Sequence, residues 1–157
     1  MAMGAAILPS LHEAFPHGAL SHGTFAIDIA PAELSAVVHR LKAQFGFDLL
    51  LDVTAVDWPQ RIPRFDVVHH FYSTLHKARV RLKTRVAEVD PSIDSLARLY
   101  RSADFMEREC HDMYGIAFHG NPDLRPILLY EGFVGHPLRK DYAKDHEQPL
   151  VRYRSLD

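Results

Sequence analysis

The chain has 157 residues, 47% hydrophobic and 24% charged, with a formal net charge of −2. That length supports one domain burying roughly 70% of the surface its unfolded form exposes, and the near-neutral charge argues against a nucleic-acid binder. No apolar run reaches the ~20 residues that cross a bilayer. The single cysteine, Cys110, rules out an internal disulfide and cannot by itself hold an iron–sulfur cluster.

Residues 1–14 read as an N-terminal extension, whose apolar start, Met1 to Pro9, lacks the basic stretch of a secretory signal. Residues 19–29 hold a first strand, with Phe25, Ile27 and Ile29 alternating against smaller or polar positions. Pro31 opens an amphipathic helix over 31–45, with Leu34, Val37, Val38, Leu41 and Phe45 on one face and Gly46 as its left-handed stop. Phe47 to Val56 is almost continuously apolar, which suits a central strand buried on both faces.

After a turn-rich interval, Phe65 to Tyr72 and Ala78 to Val86 read as two further strands joined by a hairpin-length connection. The last has a clean period of two: Val80, Leu82, Thr84 and Val86 on one face, Arg79, Arg81, Lys83 and Arg85 on the other. Asp90 and Pro91 predict the start of a short helix burying Ile93, Leu96, Ala97 and Tyr100. Ser102 is the expected cap of a second helix, which runs through Tyr114 and ends at Gly115. The order β-α-β-β-β-α-α predicts an α+β domain over 15–118, a two-layer sandwich of mixed or antiparallel sheet with helices on one face.

Prolines 122, 126, 137 and 149, with Gly120, Gly132 and Gly135, interrupt the remainder too often for a long helix or strand. Its apolar content is nevertheless too high for a plain disordered tail. Residues 119–157 therefore read as an extended C-terminal arm that finds its burial against another subunit. Wrapping this domain's own sheet is the alternative.

Two charged clusters carry the chemistry. In Glu107-Arg108-Glu109-Cys110-His111-Asp112-Met113-Tyr114-Gly115-Ile116, helical spacing allows pairs between Arg108 and Asp112 and between Glu107 and His111. Exposed pairs of this kind contribute only ~0.5 kcal/mol, so stability alone is a weak reason for the density of charge. In Gly132-Phe133-Val134-Gly135-His136-Pro137-Leu138-Arg139-Lys140-Asp141-Tyr142, bends set by glycine and proline stiffen a segment whose arginine can fork onto a carboxylate.

In order and spacing, the first cluster, then Arg125, then the second resembles the signature of the complex I thirty-kilodalton subunit family, found in respiratory NADH:quinone oxidoreductases. Glu107, Arg108, Glu109, Asp112, Gly115, Arg125, Gly132, Pro137, Arg139, Lys140 and Asp141 match the family pattern. Pro126, Tyr130-Glu131 and Ala143 depart from it.

The resemblance implies a structural subunit of the peripheral arm, without catalytic residues or a cofactor of its own. FMN, iron–sulfur clusters and quinone would reside on partner subunits. It also implies a large quinone-site subunit as neighbour, support of NADH-to-quinone electron transfer coupled to proton translocation, and a peripheral place on the cytoplasmic side of the inner membrane. The matched residues would specify interface and fold. The alternatives are the equivalent subunit of a membrane-bound hydrogenase-type complex and a stand-alone metal-dependent enzyme.

Sharper chemistry fares poorly on residue spacing. His69 and His70 are adjacent in a strand and point to opposite faces, and no HExxH or CxxC spacing accompanies the 11 histidines. Glu107 and Glu109 diverge by ~200° on a helix and do not converge on one substrate atom. Cys110 lacks an aligned base, since His111 is turned ~100° away. The cationic face of residues 78–86 reads as solvated or paired across the sheet, with docking of an acidic partner as the second possibility.

Overall fold

Period-two alternation builds the sheet. In β5 (Ala78–Val86), Val80, Leu82, Thr84 and Val86 are buried, while Arg79 and Arg85 are exposed. The computed structural model describes residues 6–146, so Pro149 and the rest of 147–157 in the expected arm lie outside the described residues. Strand β5 is the middle of a five-stranded mixed sheet of order β1-β2-β5-β4-β3. β1 (Ala19–Ser21) and β2 (Thr24–Ile29) form an antiparallel hairpin, and β2 runs parallel to β5 with Ile27 opposite Leu82. β4 (Phe65–Ser73) is antiparallel to β5, and β3 (Leu49–Asp57) is antiparallel to β4.

Helices supply the second layer. α1 (Leu8–Ala14) starts within the segment read as an extension, and its Leu11 is fully buried in the core beside Ile7 and Phe15. α2 (Leu34–Phe45) follows a single 3-10 turn at Pro31–Glu33 and buries Leu34, Val38, Leu41 and Phe45. Gly46 ends it at φ 65°, in the left-handed region. α3 (Ala103–Tyr114) ends the same way at Gly115, φ 72°. The result is the expected α+β two-layer sandwich of mixed sheet and helices. Among the described residues no helix is long and apolar enough to cross a membrane.

Three expectations need correction. The apolar run of β3 lies at the sheet edge, not its centre, and Leu49, Leu51 and Val56 are exposed. Its register shifts between Leu50 and Asp52, as a bulge does, and bulges blunt exposed edges. Ser102 does not cap α3; its hydroxyl donates instead to the Leu50 carbonyl of that edge strand, at 3.2 Å.

The short helix expected after Asp90 does not form either. Ser92–Asp94 is strand β6, paired in parallel with β7 (Ala117–His119). The reason is competition for backbone groups: Ala117 N–H donates to the Pro91 carbonyl at 2.7 Å, and Ser95 N–H to the His119 carbonyl at 2.9 Å. Leu96 N–H donates to the buried Glu107 carboxylate at 2.7 Å. Tertiary partners outweigh the local helix signal.

Candidate functional site

An α-helix leaves its last four carbonyls without an intrahelical donor. At the end of α3 those of His111, Asp112, Met113 and Tyr114 are all supplied. Gly115 N–H donates to His111 O at 2.7 Å and Leu138 N–H to Met113 O at 3.1 Å. His136 Nδ1–H donates to Asp112 O at 2.9 Å, and Arg139 Nε to Tyr114 O at 2.6 Å. Three of these four donors belong to the second signature cluster, which is therefore the C-terminal cap of the helix formed by the first. A cation there also suits the negative end of the helix dipole.

Gly115 permits this docking in two ways. Its φ of 72° favours a residue without Cβ, and a Cβ there would lie 2.4 Å from His136 Nε2 and 2.7 Å from Arg139 Nη2. Gly135, at φ 96°, plays the matching part in the arm, where a Cβ would meet the Tyr142 ring at 2.8 Å. The ring of Phe133 lies between those of Tyr130 and Tyr142, at 5.4 and 6.2 Å.

The middle of the arm is held by two side chains one turn apart on α3. Arg108 donates from Nε to the Arg125 carbonyl at 2.9 Å and from Nη2 to the Pro126 carbonyl at 3.1 Å. Asp112 Oδ2 accepts from the N–H groups of Ile127, Leu128 and Leu129 at 2.9, 2.9 and 3.2 Å. One residue takes carbonyls and the other amides, so an irregular segment has its backbone satisfied without a ladder. The expected Arg108–Asp112 and Glu107–His111 pairs are therefore not made; His111 Nδ1 lies 2.9 Å from the Ile116 carbonyl.

Glu107 points the other way, into the core. Its carboxylate accepts from Ser95 Oγ at 2.6 Å, Leu96 N–H at 2.7 Å and Asn121 Nδ2 at 2.8 Å. Burial pushes its carboxyl above the ordinary range, and these three donors pull against that. It ties α3 to the loops around β6 and β7.

The arm ends its run on the sheet. Arg64, almost fully buried, forks onto Asp57 with Nε–Oδ1 at 2.7 Å and Nη2–Oδ2 at 2.8 Å. The same guanidinium reaches Glu88 at 2.6 Å and Asp141 at 2.9 Å. Lys140 N–H donates to Asp57 Oδ2 at 2.7 Å. The Phe65 ring takes both Arg64 and Arg139, each 5.1 Å from its centroid. The hydrogen bond from Arg64 is the main reason the Asp57 and Asp141 carboxyls sit below the usual carboxylate range.

Of the sequence-predicted residues, the structure gathers Arg108, Asp112, Gly115, Arg139, Lys140 and Asp141 into this one anchor, with Glu107 on its core side. Pro137 lies between the capping residues His136 and Leu138. Arg125 is exposed and paired with Asp123 at 2.7 Å, and Glu109 is exposed. Gly132, also exposed, turns the arm at φ 90°. Arg64, Asp57 and Glu88 were missed. Arg64 and Asp141 stand 77 positions apart, and no local pattern links them. The arm reading also shifts: through Asp141 the backbone is pinned on this chain's own helix and sheet, while Leu128 and Leu138 remain exposed.

The cleft between α3 and arm, lined by His111, Pro126, Leu129, Tyr130 and His136 among others, holds about 170 Å³, small beside the ~300–1,000 Å³ of small-molecule sites. Cys110 is buried, and burial drives its thiol upward, away from the thiolate a nucleophile needs. The geometry is that of an anchored surface.

The family model for the respiratory-chain NADH dehydrogenase 30 Kd subunit matches residues 27–148. The chain belongs to this family. It is 45% identical over 125 residues to the C subunit of NADH-quinone oxidoreductase from Ruegeria sp. (strain TM1040), covering 78% of this chain and 62% of that one. It is 42% identical over 126 residues to the C/D subunit of NADH-quinone oxidoreductase from Bdellovibrio bacteriovorus, covering 80% of this chain and 22% of the relative. The chain thus spans about 62% of the length of the first relatives it matches.

Among solved structures, Nqo5 in its trypsin-resistant fragment (1-134) aligns at a TM-score of 0.66 and 27% identity, over 79% of this chain and all of that one. A chain of the membrane-bound sulfane sulfur reductase, an archaeal respiratory membrane complex, shares the fold at a TM-score of 0.78 and 24% identity, over 90% of this chain and 86% of that one. In this family member Arg108, Asp112, Arg139, Lys140 and Asp141 fasten the arm to the domain.

Replacing Gly115 with alanine is expected to cost about 2–5 kcal/mol, from left-handed strain plus the clash with His136 and Arg139. Gly46→Ala, where a Cβ would meet only ordinary contacts no nearer than 3.8 Å at the same backbone geometry, should cost only about 1–2 kcal/mol. Urea unfolding of the two variants checks the difference.

Arg64→Met leaves the buried Asp57 carboxylate without its partner and is expected to cost ~3–5 kcal/mol. Limited trypsin digestion followed by intact mass should then show cleavage after Arg139 and Lys140 before the domain is cut; an unchanged pattern would refute the anchor.

Because the Asp57 and Asp141 carboxyls are lowered on folding, their contribution is complete above the unfolded value of ~3.9 and is lost as pH falls through the lowered one. The Lys140 amide resonance should hold steady from about pH 8 to 5 and move below about pH 4. Movement around neutrality would assign the release to histidine.

Proposed function

We propose that this chain is a structural, non-redox subunit of the peripheral arm of a respiratory NADH:quinone oxidoreductase. It holds its large quinone-site neighbour in place while electrons pass from NADH to quinone and protons are translocated. FMN, the iron–sulfur clusters and quinone belong to partner subunits, and the chain lies peripherally on the cytoplasmic side of the inner membrane. No residue of this chain makes or breaks bonds; the signature residues act on interface geometry.

One observation carries the reading. Arg108, Asp112, His136 and Arg139 are spent on holding an irregular backbone in one shape, and that shape leaves Leu128, Leu138 and, on α3, Phe105 exposed. A pre-organised surface with large apolar side chains outward is what a permanent neighbour packs against. The family assignment supports the class of assembly. The name of the Bdellovibrio relative, which joins the letters C and D in one polypeptide, supports a large subunit as that neighbour.

The test is to tag the chain, solubilise membranes gently and identify what co-purifies. A large flavin and iron–sulfur assembly with NADH:quinone activity is expected. Leu128→Asp with Leu138→Asp should reduce that recovery at least about tenfold, the effect of ~1.4 kcal/mol, while thermal unfolding of the isolated protein changes little. Recovery of hydrogenase subunits, or of a lone 17.9 kDa protein, would overturn the proposal.

A further inference from the structure

The face of the sheet opposite the helices carries more cations than carboxylates, with Asp28, Asp52 and Asp66 set against the four cations of β5. Arg79, Arg81, Lys83 and Arg85 project from β5, the middle strand. Arg85 reaches Asp28 only at 3.5 Å, and Asp66 is taken by Arg61 and by Trp58 Nε1. Arg79, Arg81 and Lys83 make no ion pair among the described residues.

Apolar surface adjoins this charge. β3 exposes Leu49 and Leu51, which share a cleft of about 560 Å³ with Tyr72, His22, Lys77 and Arg79. The cleft lies at the Leu49/Tyr72 end of the β3–β4 pair, whereas the arm is anchored at the Asp57/Phe65 end. Eight strand steps separate the two ends, roughly 25 Å, so the arm's anchored residues 140–141 lie away from the cleft.

We propose that this open face docks an acidic, amphipathic segment of another subunit, carboxylates toward Arg79, Arg81 and Lys83, apolar side chains toward Leu49 and Leu51. Charge complementarity selects this occupant. A second copy of the chain would bring cations onto cations, which is repulsive. The chain's formal net charge of −2 is a poor match for a polyanion such as RNA. This inference rests on the proposed role as a subunit, but concerns a surface separate from the arm.

The experiment places a photo-crosslinking residue at Leu51 of the full tagged chain, expressed where the assembly forms, with the same residue at the fully solvent-facing Val89 as control. Irradiation should give an adduct from position 51 to a partner subunit, mapped by mass spectrometry to a segment with carboxylates interleaved among apolar residues. Arg79→Gln with Lys83→Gln should lower its yield about tenfold. Raising salt on the unsubstituted chain should weaken it in the same direction, independently of how well that variant folds.

No adduct while the tagged chain still co-purifies with its assembly, or an adduct to a second copy or to RNA, overturns the inference. So does a yield indifferent to both charge and salt. Failure of the tagged chain to co-purify at all counts against the subunit reading.

Discussion

Backbone groups that lose water must find other partners, and the end of α3 concentrates that demand. Four carbonyls face the place where the chain leaves the helix, and the arm that follows β7 has neither helix nor ladder to satisfy its own amides. The chain answers both needs at once. Residues 136–139 cap the helix, and Arg108 and Asp112 on the helix hold residues 125–129 of the arm. Neither half is complete alone, which explains why the two charged clusters occur as a pair and why Gly115 stands between them. A side chain at that glycine would occupy the space His136 and Arg139 need.

Arg64 then joins this cap to the sheet. A buried ion pair is weak evidence for stability in itself, because desolvation offsets much of the attraction. Its value here is geometric. One planar guanidinium with five donors meets Asp57 from the edge strand, Glu88 beyond β5 and Asp141 from the arm, so three distant stretches share a single register point. The sheet, the helix and the arm thereby present fixed surfaces to the outside. The arm offers exposed leucines near α3, and the open sheet face offers cations beside Leu49 and Leu51. They lie toward opposite ends of β3.

Several features were legible in the amino-acid order. The alternation of β5, the apolar stripe of α2 and the glycines that end α2 and α3 each depend on neighbours a few residues apart, and each appears where the pattern put it. The resemblance to the family was also legible, carried by the order and spacing of the two charged clusters. Other readings failed where a distant partner won. Ser92–Asp94 is strand because β7 and Glu107 claim its backbone surroundings. Ser102 bonds to Leu50 instead of capping, and the apolar β3 sits at an edge.

Local periodicity thus determined the α+β class and most of the elements, since those depend on spacing along the chain, and the resemblance named the signature residues. The roles of those residues were decided only in three dimensions. Arg108 and Asp112, one turn apart, look like a salt bridge until residues 125–129 are folded against them. Arg64 looks like an ordinary loop arginine until Asp141, 77 positions later, arrives beside it. Hydrogen-bond partners and buried charge are settled by which segments meet, and no window of sequence contains both sides of such a meeting.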